Sequence, residues 1–222
     1  MSTAALLQLP LFSDPAADGS WRVRRSVRAR RLSVRVFRDG GVEIVAPPRV
    51  SVPQISDFVA RHRPWIERQL ARATVVDCSQ PPPFLELRAA AERWPCDAQM
   101  KRVTALKRLT ARAHEVFAPQ LAELAALMGV GFQRLQIRRQ RTRWGSCSTR
   151  GTISLNCCLL FQRPEVVRYL LVHELAHVRH MNHGEHFWSL VERFEPQWRA
   201  LDRELSQGWS HVPGWLLARS AP

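Results

Sequence analysis

The chain has 222 residues, of which 45% are hydrophobic, so it is long enough for one large domain or two small ones and is not generally disordered. Its 33 basic residues, nearly all arginine, exceed its 19 acidic residues and give a formal net charge of +14. This charge favours polyanionic partners, although a general preference for arginine over lysine explains it equally well. Five cysteines without CxxC spacing exclude a disulfide-rich secreted domain.

Features of membrane and secreted proteins are missing from the sequence. No stretch approaches the roughly 20 apolar residues that a membrane helix needs. The opening segment is mildly apolar, but Pro10 interrupts it and it lacks the basic residues of a secretory signal. We therefore expect a cytoplasmic protein that does not associate with a membrane.

The N-terminal part of the chain changes pattern twice. Residues 1–20 lack periodicity and are expected to be a flexible tail. From Trp21, hydrophobic residues alternate with arginines and a helical pattern follows, which predicts a basic β-meander and helix module over 21–75. The arginines expected largely on its exposed side are Arg22, Arg24, Arg28, Arg30, Arg31, Arg35 and Arg38. Residues 76–96 include three consecutive prolines and are predicted to be a linker.

The rest of the chain predicts a second domain over 97–209 and a C-terminal tail over 210–222. A helical stripe runs to Met128, and Pro119 within it predicts a kink or two consecutive helices. Three short strands and two further helices are then expected, at 134–139, 142–147, 152–157, 164–181 and 183–205. The mixture of helices and short strands predicts an α+β fold.

A histidine cluster carries the strongest chemical signal. Five of the eight histidines lie between His173 and His186, and they include the sequence His-Glu-Leu-Ala-His at 173–177. Residues four apart share one face of a helix, about 6 Å apart along its axis, so two imidazoles can converge on one ion. Zinc binds such nitrogens at about 2.0–2.1 Å and lowers the pKa of bound water toward about 7. The spacing predicts His173 and His177 as ligands of Zn²⁺, and Glu174 as the base that deprotonates the bound water.

A catalytic zinc takes a third protein ligand and keeps one position open. On a straight helix, His180 lies about 10.5 Å along the axis from His173, too far to share the ion. We expect the chain to bend at 181–184, with Asn182 as the N-cap of the next helix, and to fold back over the site. His183 is therefore the first candidate, and the others, in order, are His186, His180 and the carboxylates of Glu192 and Glu195.

Several segments resemble the YgjP-like metallopeptidase family. They are RRSVRARRLSVRV and GGVEIVAP near the N-terminus, RWGSCS at 143–148, ISLNCCLLF at 153–161 and VHELAHVRHMNHGEHFW at 172–188. The resemblance runs from about Trp21 to Trp209. The last segment is also similar to SprT-like proteases, in which the third zinc ligand is the histidine that opens a His-Gly-x-x-Phe step, here His183. The resemblance implies a zinc peptidase with a zincin-like α+β domain, in which the HExxH helix is buried against a small antiparallel sheet.

The RWGSC segment is a candidate for substrate binding. In zincins an extended peptide pairs with an edge strand beside the active-site helix, and residues 143–147 are a candidate for that strand. Trp144 and Gly145 then shape the cleft; equally, Trp144 belongs to the core and Gly145 forms a bulge. Arg143 and His180 are candidates for a second donor to the oxyanion. Three cysteines fit small buried residues better than zinc ligands: Cys147, Cys157 and Cys158.

Three functions are consistent with these residues. The first is a zinc-dependent peptidase that acts on peptides or unfolded proteins. The second is a metal-dependent phosphohydrolase of nucleotides or nucleic acid, although the sequence lacks a phosphate-binding Gly-rich loop and an acidic cluster for Mg²⁺. The third is a DNA-associated zinc protein that binds nucleic acid through the Arg-rich N-terminal module. Glu174 favours the peptidase over the third, because a structural zinc normally has four ligands and needs no base.

Overall fold

Two compact units make up the part of the chain that the structure describes. The computed structural model describes residues 21–37, 40–72, 80–140 and 142–217. The first unit is drawn from Met1–Cys78 and Leu217–Pro222, and the second is Ser79–Leu216. The predicted flexible tail, 1–20, lies outside the described residues. None of the described helices combines the length and the apolar character needed to pass through a membrane.

Three strands and one long helix form the described part of the first unit. Their bounds are β1 Trp21–Arg25, β2 Ser33–Val36, β3 Val42–Ala46 and α1 Val52–Arg72. The strand β3 is central, pairing parallel with β1 and antiparallel with β2, so the predicted meander is wrong. All five residues of β3 are buried. A central strand has a neighbour on each side, so this position removes the most apolar surface from water. Ile55, Val59 and Ile66 of α1 join the core of this unit.

The arginines of the first unit divide into structural and exposed ones. The Arg22 guanidinium lies 2.8 Å from a carboxylate oxygen of Glu43, which is buried and therefore needs a partner. Arg25 donates to the carbonyl oxygens of Pro48 and Val50 at 2.7 and 2.8 Å. Of the other arginines predicted on the exposed side, Arg28, Arg30, Arg31 and Arg35 are exposed, and Arg38 lies outside the described residues. These contacts give no support to nucleic-acid binding.

Two small sheets and several helices form the second unit. In chain order its elements are β4 Phe84–Leu87, β5 Glu92–Pro95, α2 Arg102–Met128, β6 Arg134–Arg138, β7 Gly145–Cys147, β8 Thr152–Asn156, α3 Pro164–Arg179, α4 Glu185–Phe194, α5 Trp198–Gln207 and α6 Gly214–Leu217, of which Leu217 is assigned to the first unit. The helices together with small sheets confirm the α+β class. α3 occupies the middle of this unit, because it contacts α2, α4, α5 and β7.

The sheet beside α3 has the strand order β6-β8-β7. The central strand β8 pairs parallel with β6 and antiparallel with β7, so the expected antiparallel sheet is mixed instead. The turn over 148–151 makes the β7–β8 pair antiparallel, whereas β6 reaches β8 from further along the chain. As in the first unit, the central strand is the most buried, with Ile153 and Leu155 fully enclosed. The strand β7 lies at one edge, against α3.

Most of the described residues in two segments predicted to lack structure, 80–96 and 210–216, belong to the second unit. Within the predicted Pro-rich linker 76–96, β4 and β5 form an antiparallel hairpin whose Leu85 and Leu87 are buried. Within the predicted tail 210–222, the buried residues are Val212, Trp215 and Leu216. In both segments a few large apolar side chains are buried. The sequence does not predict this, because the first segment is rich in proline and the second lies near the chain end.

Two predicted helices also differ from those observed. The helix α2 runs continuously through Pro119, so two consecutive helices are not formed. It ends before Gly129, whose φ of +61° provides a left-handed C-cap. The helix expected over 183–205 is interrupted, because α4 ends at Phe194 and Pro196, which lacks an N–H, cannot continue it.

Candidate metal centre

The helix α3 carries the His-Glu-Leu-Ala-His segment into the interior of the second unit. Pro164 opens the helix, where its missing N–H removes no hydrogen bond. Residues of α3 that are almost fully enclosed are Val166, Val167, Tyr169, Leu171, Val172, Leu175 and Ala176. This packing holds His173, Glu174 and His177 on a rigid helix.

The imidazoles of His173, His177 and His183 converge on one another. Each can offer one ring nitrogen, and the three nitrogens lie within 4.8 Å of each other. The Nε2 atoms of His173 and His183 are 3.2 Å apart, close to the roughly 3.3 Å expected between two nitrogens that bind a tetrahedral zinc. Across the described residues, no second group of three or more potential ligands is as compact. The geometry favours His183 over the other candidates for the third ligand.

A turn after α3 brings His183 back toward the helix. His180 caps the C-terminal end of α3 in an extended conformation, and α4 begins at Glu185 with Gly184 as its N-cap. The prediction of Asn182 as the N-cap is wrong, because α4 begins two residues later than such a cap requires. His183 therefore lies in the turn itself, between the two helices.

Aromatic rings of α4 and α5 hold the imidazoles in place. Phe187 is fully buried, and its ring centroid lies 5.0, 4.5 and 4.8 Å from the centroids of the three imidazoles, in chain order. Trp188 stacks on His183 at 5.6 Å and on Trp198 at 3.9 Å. The helix after the turn thus packs directly against the cluster and restricts rotation of its rings.

Hydrogen bonds at the outer nitrogens orient two of the rings. His177 Nδ1 lies 3.1 Å from the carbonyl oxygen of His180, which can only accept, so this nitrogen donates. The Tyr169 hydroxyl donates to Asp202 at 2.8 Å, and its oxygen lies 3.4 Å from His173 Nδ1 and accepts from it. In this arrangement both rings carry the proton on Nδ1 and leave the lone pair of Nε2 for the centre of the cluster.

The protonation states of the imidazoles also suit a cation. Burial lowers the pKa of His173 to about 3, with smaller contributions from the charges of His177 and His183. Burial lowers the pKa of His177 as well. Metal ligands must be deprotonated, and these two rings are already neutral at neutral pH.

Glu174 lies against β7. Its carboxylate is buried, and its Oε2 atom has no hydrogen-bond partner. A Cβ on Gly145 would come within 2.4 Å of the other oxygen, Oε1, so the strand approaches the carboxylate as closely as a glycine permits. Burial raises the pKa of Glu174 to about 8, against the opposing charge of Arg143. An unpaired buried oxygen beside neutral imidazoles fits a site for a divalent cation, and imidazole donors suit zinc.

The residues of the RWGSC segment fall into different environments. Trp144 is buried and stacks on Trp209 at 4.0 Å, which favours its assignment to the core over a place in the cleft. Gly145 pairs regularly with Leu155 in the β7–β8 ladder, so it does not form a bulge. Arg143 is exposed, and its charge acts on Glu174.

The other candidate ligands lie apart from the imidazole cluster. The His180 ring faces His186, 6.0 Å away, and only its carbonyl oxygen contacts His177. Glu192 and Glu195 form ion pairs with nearby arginines of the second unit. None of these four side chains belongs to the described group of potential ligands.

The cysteines near the site do not join the cluster. Cys157 and Cys158 are buried in the turn of 3₁₀-helix that follows β8. Burial raises the pKa of Cys147 to about 11, and the charge of Glu174 adds to this effect. A thiol with such a pKa is protonated at neutral pH, and therefore a poor metal ligand.

The sequence analysis missed Tyr169 and Phe187, which contact the imidazoles, and Asp202, which binds Tyr169. Tyr169 precedes His173 by four residues, so helical spacing places it on the same face and could have identified it. Phe187 is the last residue of the His-Gly-x-x-Phe pattern, but the pattern does not show that its ring contacts all three imidazoles. Asp202 comes from α5, and no local pattern links it to α3.

Comparisons with solved structures and curated proteins give limited likenesses. Abylysin of Pyrococcus abyssi, solved as a metallopeptidase zymogen, is 27% identical over 40% of this chain and 92% of its own, with a TM-score of 0.38. The metallopeptidase zymogen of Methanocaldococcus jannaschii jannalysin is 18% identical over 41% of this chain and 95% of its own, also with a TM-score of 0.38. No curated protein matches the chain.

A family model covers far more of the chain. The model of the YgjP-like metallopeptidase domain matches residues 30–89 and 94–208. The second range contains the three clustered histidines, Glu174 and the whole β6-β8-β7 sheet. The chain therefore belongs to the YgjP-like metallopeptidase family.

Proposed function

We propose that this protein is a zinc-dependent peptidase whose ion is held by His173, His177 and His183, and whose catalytic base is Glu174. The observation that carries the proposal is the convergence of three imidazole nitrogens within 4.8 Å, beside a buried carboxylate. Membership of a metallopeptidase family supports a metal-dependent hydrolase of peptide bonds.

The three histidines are suited to bind the ion without rearrangement. Two of them are neutral, because burial lowers their pKa values, and their Nδ1 atoms are occupied by hydrogen bonds to protein oxygens. When bound, zinc supplies a Lewis acid that lowers the pKa of water and polarises the scissile carbonyl. Three protein ligands leave a coordination position open, as catalysis requires and a structural site does not.

Glu174 is suited to accept the proton of the attacking water. In the metal-free protein, burial raises the pKa of its carboxyl group to about 8, which favours uptake of a proton. A cation on the imidazoles stabilises the charged form and keeps the carboxylate ready. After the attack, the same carboxyl group can deliver the proton to the leaving amine.

The substrate is a peptide or an unfolded protein in an extended conformation. The strand β7 is at the edge of its sheet and lies beside α3, so its free backbone groups can pair with an added strand. Arg143 precedes this strand and is exposed close to Glu174, which makes it a better candidate than His180 for a second donor to the oxyanion.

A set of three proteins tests the proposal: wild type, Glu174→Gln and His177→Ala. Wild type and Glu174→Gln should each contain about one zinc per chain by elemental analysis, and His177→Ala should lose it. Hydrolysis of unfolded casein should fall by about 10²–10⁴-fold in Glu174→Gln, the usual contribution of a general base. Full activity of Glu174→Gln would show that this mechanism is wrong.

The same proteins separate the peptidase from the other two functions. A phosphohydrolase would convert nucleotides and leave casein intact. A DNA-associated zinc protein would keep its zinc and hydrolyse neither substrate. The described residues provide three clustered ligands rather than four, which argues against a structural zinc and therefore against the DNA-associated zinc protein.

A further inference from the structure

A large cavity lies on the β6-β8-β7 sheet. It has a volume of about 830 Å³, and its lining side chains come from the three strands and the turns between them. Four arginines line it: Arg134, Arg138, Arg143 and Arg150. The other lining residues are mainly uncharged polar side chains, and none is acidic or aromatic. The cavity is therefore strongly positive.

The positive charge of this cavity is not neutralised within the described part of the protein. All four arginines are exposed, and none forms an ion pair with a described carboxylate. Elsewhere in the second unit arginines do find such partners, as Arg163 does in its two hydrogen bonds to Glu204. A general preference for arginine does not explain why the like charges of one cavity remain together without a counter-charge.

The strand geometry presents these groups in a fixed pattern. Arg134, Gln136 and Arg138 alternate along β6 and so share one face of the sheet. The Gln136 side-chain oxygen accepts from both Nε and Nη2 of Arg138, at 3.1 and 2.5 Å, which orients that guanidinium. Ser146 and Ser154 pair across β7 and β8 on the same face. Guanidinium groups thus alternate with neutral hydrogen-bonding groups.

The cavity reaches the surroundings of the metal centre at β7. Arg143 and Cys147 line it, and both also interact electrostatically with Glu174. A chain that occupies the cavity is therefore close to the edge strand along which, in the proposed function, the substrate extends.

We propose that this cavity binds an acidic segment of the polypeptide substrate, whose carboxylates pair with the guanidinium groups of Arg134, Arg138 and Arg150. Guanidinium and carboxylate groups form paired, charge-assisted hydrogen bonds, and the serine and glutamine side chains can bind the peptide backbone. Single-stranded nucleic acid is a poorer match, because no aromatic side chain lines the cavity for bases to stack on. The inference rests on the proposed peptidase function for the identity of the ligand as a polypeptide.

Binding can be measured without turnover in the Glu174→Gln protein. The probes are fluorescein-labelled peptides of equal length, one rich in Asp and Glu, one neutral and one rich in Lys, titrated in a fluorescence anisotropy assay. The acidic peptide should bind most tightly, and its affinity should fall as the salt concentration rises, because exposed charges are screened.

A matched pair of triple variants locates the binding. Arg134→Gln/Arg138→Gln/Arg150→Gln should weaken binding of the acidic peptide by about tenfold or more, since charge-assisted pairs are lost. The control removes the same charge from the first unit, as Arg28→Gln/Arg30→Gln/Arg31→Gln, and should change the affinity by less than about twofold. Thermal unfolding of both variants checks that the fold is kept.

Three results would overturn the inference. Equal losses in the two triple variants would mean that net charge alone attracts the peptide. Unchanged affinity in the cavity variant would mean that the peptide binds elsewhere. Tighter binding of a nucleoside triphosphate or of single-stranded DNA than of the acidic peptide, lost in the same variant, would assign the cavity to phosphates. Because binding is measured in Glu174→Gln, failure of the proposed catalytic mechanism would be seen separately, in the casein assay.

Discussion

Gly145 and Glu174 are in contact between β7 and α3, and the contact leaves no room for a side chain on the strand. A Cβ at position 145 would lie 2.4 Å from Oε1 and 2.9 Å from Cδ of the carboxylate. The backbone of Gly145 is not in the left-handed region, so conformational freedom does not explain the glycine. Its role is to let an edge strand lie directly on the proposed base.

Gly145→Ala should therefore impair catalysis while zinc remains bound. The added methyl group must displace the carboxylate of Glu174, and a displacement of about 1 Å can lower the rate about a hundredfold. We expect kcat on casein to fall by that order, with zinc content unchanged by elemental analysis. Gly131→Ala is the control, because a Cβ at position 131 meets nothing within 4 Å. An unchanged kcat in Gly145→Ala would contradict the assignment of Glu174 as the base.

The chain of hydrogen bonds from Asp202 through Tyr169 to His173 should increase zinc affinity. Loss of such an outer partner typically weakens metal binding by about 10–100-fold. We expect this loss in Tyr169→Phe and in Asp202→Asn, measured by competition with a chromogenic chelator. Asp202 acts on His173 only through Tyr169, so the two losses should not add. The double variant should lose no more zinc affinity than the single variant that binds zinc more weakly.

Ser206→Ala provides the control for these two variants. It removes a hydroxyl of α5 that bonds to the backbone oxygen of Asp202 and not to its carboxylate. Its zinc affinity should equal that of wild type. Additive losses in the double variant, or an equal loss in Ser206→Ala, would show that the two side chains do not act through His173.

Phe187 should influence the metal centre beyond its contribution to the core. Its ring touches all three imidazoles, whereas Val191, equally buried, lies one turn further along the same helix and away from His183. Phe187→Ala should lower the free energy of unfolding by about 3–5 kcal/mol and also weaken zinc binding, because the rings gain rotational freedom. Val191→Ala should lower stability with wild-type zinc affinity. Chelator competition at a temperature where both variants are folded separates the loss of zinc affinity from the loss of stability. Equal zinc affinities of Phe187→Ala and Val191→Ala would refute the role of Phe187.

The position of the candidate site could be predicted from sequence because its parts are local. His173 and His177 are one helical turn apart, and the geometry of a straight helix alone removes His180 as a partner of both. His183 lies in a short turn directly after α3, so few conformations return it to the helix. Tyr169 lies on the same helix, but Asp202 and Gly145 belong to distant segments and approach α3 only in the folded chain.

The strand order could not be predicted for a related reason. Alternation of apolar residues identifies β1, β2, β3, β6, β7 and β8, but it does not say which strand is central. Burial decides this: β3 and β8 are the most enclosed strands and take the middle of their sheets. The short β4–β5 hairpin depends on Leu85 and Leu87, two side chains whose burial no local pattern reveals next to three prolines.

The buried carboxylate of Glu174 should make the metal-free protein less stable as the pH rises. Burial raises the pKa of this group from 4.5 to about 8 in the folded state. Between these values the unfolded chain has released the proton while the folded protein retains it, so the free energy of unfolding falls with increasing pH. Replacement by glutamine removes this dependence, because an amide does not titrate.

Metal-free Glu174→Gln should therefore be more stable than metal-free wild type at about pH 8, with a difference that shrinks toward about pH 4.5. Urea unfolding in the presence of a chelator, at several pH values across this window, measures the difference. Parallel pH profiles for wild type and Glu174→Gln would mean that the carboxylate is solvated in the folded protein, and it would then be an ordinary weak base.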